Sequence, residues 1–286
     1  MNNLGLITGI LSGLFWALSG IFYVKINEFN NASHLIFILL FCIEFTPWLF
    51  LTFSLLFLKK YFVFDIKLIL AFIAGFIAGP VAMYCYLNSI VLIGLSLSAS
   101  ITSLYPIFAT FLALIFLKER LNLLGFLGIF LAFGALFLLF FEKFHSHLLG
   151  LSLAFICALS WGIELILSSL ALKKIPTASV YYARQSGSSF GYIVLILIQK
   201  PNFILQDFIS FNFLFILFFL IFFWAMSYFL YYFTITKIGI IKAMMLNVSY
   251  VIWLVLFEQE IEFKQMILIF FIFIGINLVL FSKRNK

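Results

Sequence analysis

Long runs of apolar residues, separated by short stretches with charged or turn-forming residues, make up almost the whole chain. Each run is close to the roughly 20 residues that a helix needs to cross a bilayer. The runs are continuous, whereas a transmembrane β-strand would alternate apolar and polar residues. The pattern therefore predicts an all-α polytopic membrane protein. Its ten predicted transmembrane helices cover 4–24, 34–58, 68–91, 95–117, 122–141, 148–172, 178–199, 208–234, 239–257 and 264–282.

Composition and charge agree with this class of protein. Hydrophobic residues make up 66% of the 286 residues and charged residues only 9%, which is outside the range of soluble domains. The formal net charge of +7 comes from basic residues scattered through short loops, so no nucleic-acid partner is expected. Lys59, Lys60, Lys173 and Lys174 lie in loops on the same predicted side as the N-terminus. Because cytoplasmic loops carry the excess of basic residues, both termini are predicted to be cytoplasmic.

Short motifs in the first half of the chain recur in the second half, 145 positions later. The pairs are Gly5 and Gly150, Trp16 and Trp161, Gly94 and Gly239, and Tyr105 and Tyr250. This offset predicts two units of five helices, residues 1–143 and 144–286. Since five is odd, the second unit must enter the membrane from the opposite side. Such a 5+5 inverted repeat is typical of alternating-access transporters, which bind substrate near the midplane between their halves.

Glycines and prolines in the predicted helices indicate where helices approach closely or bend. Glycines recur at spacings of four, which favours close helix packing; they are Gly5, Gly9 and Gly13, then Gly75 and Gly79, then Gly187 and Gly191. Prolines inside a helix remove a backbone donor and favour kinks; they are Pro47, Pro80 and Pro106.

Three ionisable residues lie deep in predicted helices: Glu44, Glu164 and Arg184. A charge there costs roughly 2.5 to 3.5 kcal/mol on insertion scales, so it faces protein or water. If Arg184 neutralises one carboxylate, the other remains for a proton or a cationic ligand. Glu164 is the favoured free carboxylate because Trp161 lies one helical turn before it. With Trp16 at the repeat-equivalent position, two tryptophans are predicted to flank Glu164 and cage an organic cation.

Further candidate residues lie in the predicted helices 8 and 9. Helical spacing places several of them on shared faces; they are Tyr228, Tyr231, Tyr232, Asn247, Tyr250 and Trp253. Aromatic residues make up 21% of the chain, so each single ring carries little information. Asn247 carries more, because a buried amide needs hydrogen-bond partners.

The whole chain resembles the drug/metabolite transporter superfamily with EamA-like repeats, and three segments resemble the LicB-type bacterial choline permeases. The segments are Ser12-Gly13-Leu14-Phe15-Trp16, Trp161-Gly162-Ile163-Glu164-Leu165-Ile166-Leu167-Ser168-Ser169 through Arg184-Gln185, and Tyr231-Tyr232 through Leu246-Asn247-Val248-Ser249-Tyr250-Val251-Ile252-Trp253. This resemblance implies import of choline or a related quaternary ammonium compound across a bacterial cytoplasmic (inner) membrane, driven by the proton gradient, the membrane potential or both. By position it implies pocket residues Trp16, Trp161, Glu164, Tyr231 and Tyr250, with Gln185 and Asn247 as polar support.

Several alternatives stay open on the sequence alone. Export of cationic or amphipathic metabolites is compatible with the same pocket, and either Glu44 or Glu164 can carry a coupled proton. A non-transporting subunit is a further class, and a homodimer in the bilayer is compatible with the sequence. An enzyme is not expected, because the sequence contains no HExxH metal-binding motif. No cofactor or metal is expected either.

Overall fold

The computed structural model describes residues 2–30, 36–57, 62–141, 147–200, 210–257 and 262–282, and within these ranges no β-strand is present. The described backbone forms ten helices, numbered here α1 to α10. They are α1 Asn3–Asn30, α2 Ile36–Phe57, α3 Leu68–Ile93, α4 Leu95–Leu117, α5 Leu123–Phe140, α6 Leu148–Leu172, α7 Thr177–Gln199, α8 Phe211–Ile238, α9 Ile240–Phe257 and α10 Phe263–Phe281.

In the part of the chain that the structure describes, nine helices are long and apolar enough to cross a membrane. The prediction of a multi-pass all-α membrane protein is confirmed to that extent. The remaining helix, α7, has 23 residues but carries Arg184, Gln185 and several serines. That α7 crosses the membrane stays a prediction, and so does the total of ten transmembrane helices.

Side chains at the first turn explain where three of the helices begin. The Asn122 side chain accepts a hydrogen bond from the Gly125 amide at 3.0 Å, and this contact caps α5. The Ser210 hydroxyl accepts from the Phe213 amide at the start of α8. His147 caps α6 in the same way through Nδ1. Each cap satisfies a backbone donor that the helix leaves free.

Two helices are interrupted at repeat-equivalent positions. The first part of α4, Leu95–Thr102, is followed by a turn and then by Tyr105–Leu112. In α9 the corresponding parts are Ile240–Asn247 and Tyr250–Phe257, each displaced by 145 positions. Of the expected proline bends, Pro106 follows directly on the α4 break. Pro80 lies in a π-helical turn inside α3, and Pro47 lies within the continuous helix α2.

Gly94 and Gly239 join α3 to α4 and α8 to α9 in nearly the same backbone conformation. Their φ and ψ angles are 81° and 160° for Gly94, and 86° and 163° for Gly239. Only glycine adopts this region readily. Each residue therefore permits a single-residue connection between two long helices.

Gly94→Ala is expected to destabilise the protein by about 1 to 3 kcal/mol, because alanine is strained at this φ and ψ. An added Cβ has nothing within 4 Å, so the cost is conformational and not steric. Gly134→Ala is the matched control, since it also has open space but no positive φ. Thermal unfolding in detergent measures both variants, and equal melting temperatures would contradict the strain argument.

The helices pack in pairs that link the two halves of the chain. Helix α1 lies against α8 and α9, and α6 lies against α3 and α4. Helix α2 packs against α7, and α5 packs against α10. Large apolar side chains such as Phe50, Phe130 and Phe218 are exposed on the outside. A lipid environment accounts for such an exterior.

Glycines allow the closest helix approaches, as the sequence predicted. In α1, a Cβ at Gly5 would lie 2.7 Å from Ile238, and one at Gly13 would lie 2.9 Å from the Asn247 carbonyl oxygen. At the crossing of α3 and α7, a Cβ at Gly75 would collide with the backbone carbonyl of Arg184. This last contact fixes the height of Arg184 relative to α3.

Candidate functional site

A buried arginine between two buried carboxylates forms the centre of the helix bundle. Arg184 on α7 is 1% exposed, and Glu44 on α2 and Glu164 on α6 are 2% and 3% exposed. Nη1 of Arg184 donates to the Glu44 carboxylate and to the side-chain oxygen of Gln185. The Gln185 amide in turn donates to the Glu44 backbone carbonyl at 3.3 Å. The direct ion pair is therefore between Arg184 and Glu44.

Glu164 contacts the same arginine less closely. Its Oε1 lies 3.9 Å from Nε of Arg184, and it accepts a hydrogen bond from the Tyr232 hydroxyl. Ser168 lies 2.8 Å from that hydroxyl. Arg184 therefore pairs directly with Glu44 and makes only a longer contact with Glu164, so one carboxylate is in excess over the arginine. When all three groups are ionised, the cluster carries one excess negative charge in a site that water does not screen.

Three rings form an aromatic group between α1 and α8, which we call the Trp16 group. It consists of Trp16, Trp224 and Tyr228. The centroid of Trp16 lies 4.7 Å from that of Trp224 and 5.6 Å from that of Tyr228. Cζ of Arg184 lies over the Tyr228 ring, 4.3 Å from its centroid. Tyr228 thereby joins the Trp16 group to the charged cluster.

A second aromatic group surrounds Trp161 on α6. Its ring lies 6.0 Å from that of Tyr86 and 5.9 Å from that of Tyr105, in an edge-on arrangement with Tyr105. Nε1 of Trp161 donates to the backbone carbonyl of Ala78 at 3.2 Å. The two tryptophans thus lie in separate groups, with no direct ring contact between Trp16 and Trp161. Helices α3 and α4 supply the neighbours of Trp161, and α8 supplies those of Trp16. A cage in which both tryptophans flank a bound cation stays a prediction.

The other predicted site residues occupy different surroundings. Tyr231 is buried, and its hydroxyl has no hydrogen-bond partner. Asn247 donates to the Ser12 hydroxyl at 3.2 Å, so its amide joins α9 to α1. Tyr250 begins the second part of α9 and lies against the buried core that contains Tyr231.

The tyrosine bonded to Glu164 is Tyr232, whereas the resemblance implied Tyr231 as a pocket residue, which stays a prediction. Trp224 was not among the residues predicted from the sequence. The available signal was a ladder of aromatic residues four positions apart on α8, namely Trp224, Tyr228 and Tyr232. Adjacent rings of this ladder are 6.2 Å apart in both steps. A spacing of four keeps side chains on one face of a helix. Tyr231 lies about 100° away around the axis, on a different face of α8.

Tyr232→Phe is expected to lower the free energy of unfolding by about 1.5 to 3 kcal/mol, because it removes a hydrogen bond to a charged group. Tyr231→Phe is the matched control and should change it by less than about 0.5 kcal/mol, since that hydroxyl has no partner. Denaturant titration of the purified variants measures both. If both variants lost the same free energy of unfolding, the hydrogen bond between Tyr232 and Glu164 would contribute nothing to stability.

The EamA-like transporter family matches the chain twice, over residues 3–141 and 148–281. The chain therefore belongs to this family and is a membrane transporter, as its resemblance predicted. Over 293 aligned residues it is 32% identical to protein LicB of Haemophilus influenzae, and the alignment covers 99% of each chain. A solved crystal structure has a TM-score of 0.75 at 13% identity, with 97% of this chain and 96% of that chain covered. At that identity the likeness concerns the fold alone.

Proposed function

We propose that this protein is a secondary transporter that imports choline or a related quaternary ammonium compound by alternating access. The observation that carries the proposal is the excess negative charge of Glu44 and Glu164 over Arg184, buried beside Tyr228 and Trp16. Such a site attracts a monovalent cation. The similarity to LicB supports a choline-like cation as the substrate.

The chemistry of a quaternary ammonium ion fits these groups. It has no hydrogen to donate, so recognition depends on aromatic faces and on Coulomb attraction. Each well-placed ring contributes about 0.5 to 2 kcal/mol. Inward movement of one positive charge also gains about 2.3 kcal/mol per 100 mV of inside-negative potential. Potential alone therefore drives useful accumulation, and a proton on Glu164 or Glu44 would add a second coupling.

The proposal includes ten transmembrane helices in a 5+5 inverted repeat, residues 1–143 and 144–286, in a bacterial cytoplasmic membrane with both termini inside. Three observations support the repeat. The breaks in α4 and α9 are displaced by the same 145 positions. The packing of α1 on α8 and α9 corresponds to that of α6 on α3 and α4. The family also matches each half separately.

Uptake of radiolabelled choline into proteoliposomes tests this function. The membrane potential and the pH gradient are imposed separately, with protein-free liposomes as the control. Accumulation driven by an inside-negative potential supports a cation importer. Further acceleration by an inward proton gradient at fixed potential supports proton coupling. Absence of accumulation under both gradients would contradict import of choline.

Export of cationic or amphipathic metabolites is the second candidate, because the charged cluster and its aromatic neighbours do not by themselves set a direction. An efflux assay distinguishes the two. Proteoliposomes loaded with choline or with a cationic dye such as ethidium are placed in a proton gradient of either sign. Net export of the dye, without choline transport, would favour the exporter.

A further inference from the structure

The guanidinium group of Arg184 is itself a cation that lies on an aromatic face. Its Cζ is 4.3 Å from the centroid of the Tyr228 ring, well within the range of a cation–π contact. Trp16 and Trp224 pack against the same tyrosine at 5.6 and 6.2 Å. The aromatic group best placed to take an organic cation therefore already contacts one that belongs to the protein.

The arginine is held unequally by its neighbours. Its Nη1 donates both to Glu44 and to Gln185. Its Nε has no hydrogen-bond partner and lies 3.9 Å from Glu164. Arg184 therefore has a strong attachment to α2 and a weak one to α6. It can leave Glu164 and Tyr228 while it keeps the ion pair with Glu44.

We propose that Arg184 is a tethered cation, which occupies Glu164 and the Tyr228 face in the empty protein and is displaced from both when the substrate cation binds. The inference rests on the proposed function and gives this site a competitor within the protein. The charge balance supports the exchange. Arg184 neutralises only one of the two carboxylates, and a monovalent cation bound at Glu164 neutralises the other. Only a cation that binds these groups better than a tethered guanidinium occupies the site.

Arg184→Lys tests the competition by equilibrium binding. Lysine keeps the positive charge for Glu44 but lacks the planar guanidinium that stacks on a ring, so it competes less well for Tyr228. The dissociation constant for choline is expected to fall roughly three- to tenfold, the equivalent of one cation–π contact. Calorimetry in nanodiscs measures it. A constant equal to or above that of the wild type overturns the proposal, because a purely structural ion pair predicts that result.

Tyr228→Leu provides the matched control in the same assay. It removes the face that both cations use, so choline should bind more weakly than to the wild type. In the double variant that combines Tyr228→Leu with Arg184→Lys, the lysine should no longer increase the affinity for choline. If the lysine increased the affinity for choline equally with and without Tyr228, its effect would not depend on this ring. That result would overturn the proposed exchange at Tyr228.

A direct observation of Arg184 keeps the test independent of variants that fold poorly. The chain has three arginines, Arg120, Arg184 and Arg284, so Arg120→Lys with Arg284→Lys leaves one isotopically labelled guanidinium for NMR. The Tyr228 ring current should shift its resonances, and saturating choline should abolish the shift. Persistence of the shift with choline bound overturns the inference but leaves the proposed function intact.

Failure of choline to bind is a separate outcome of the same titration. It would contradict choline as the substrate, and tetramethylammonium then replaces choline as the probe. If that ion removes the ring-current shift, the exchange holds for another quaternary cation. If neither ion binds or shifts the resonance, the tethered-cation inference is wrong as well.

Discussion

Glu164→Gln is expected to weaken choline binding by about 100-fold and to reduce uptake at low choline concentrations correspondingly. The substitution removes the negative charge that attracts the cation, an interaction of about 3 kcal/mol for a charge-assisted contact in a buried site. Glutamine keeps an oxygen that accepts from Tyr232, so the local hydrogen bonding is retained. The buried cluster also loses its excess charge, because Arg184 then balances Glu44 alone.

Glu164→Asp is the matched control for this variant, since it keeps the charge and shortens the side chain by one methylene. Binding to the aspartate variant is expected to lie between that of the wild type and that of the glutamine variant. Calorimetry and proteoliposome uptake measure the three proteins side by side. If the glutamine variant bound choline within threefold of the wild type, Glu164 would not be the carboxylate that attracts the cation.

Gly187→Ala is expected to destabilise the protein by about 3 kcal/mol or more. A Cβ at this position would collide with the backbone carbonyl of Phe72, with the carbonyl carbon at 2.7 Å and the Cα at 3.0 Å. Backbone atoms cannot rotate away as a flexible side chain does, so α3 and α7 must separate. Overpacking of a tight contact usually costs about 1 to 3 kcal/mol, and a contact between two backbones falls at the upper end.

Gly20→Ala serves as the control for that steric argument. It adds the same methyl group inside α1, at a position where no atom lies within 4 Å. Alanine is the better helix former by about 0.5 to 1 kcal/mol, so this variant should be as stable as the wild type or slightly more stable. Thermal unfolding in detergent separates the two. Similar melting temperatures for both variants would show that the crossing of α3 and α7 is not tight in solution.

The sequence predicted the helices well because apolar length is a direct physical signal. The bounds of α6, Leu148–Leu172, agree with the predicted span, whereas α1 continues to Asn30 beyond the predicted residue 24. Its last residues include Lys25, whose ammonium group lies 5.8 Å from the centroid of the Phe22 ring. A lysine near a helix end extends toward the interface and so need not end the helix.

The buried charges were also visible in the sequence, because an ionisable residue inside an apolar run stands out against its neighbours. The helix faces were not visible. In lipid the outside of a helix is as apolar as the inside, so hydropathy does not reveal which face is buried. Tyr231 and Tyr232 therefore could not be told apart, and the ring neighbours of Trp16 and Trp161 could not be assigned. Only the contacts between helices assign each ring to its neighbours.

The polar character of α7 has a consequence for how the protein is made. This helix carries a buried arginine and a mean hydropathy too low to count among the apolar spans, so it gains little from entering lipid alone. Its stabilising partners are Glu44 on α2 and the glycine face of α3, both of which leave the ribosome earlier. Stable insertion of α7 is therefore expected to depend on helices already in the bilayer, which makes the order of synthesis part of assembly.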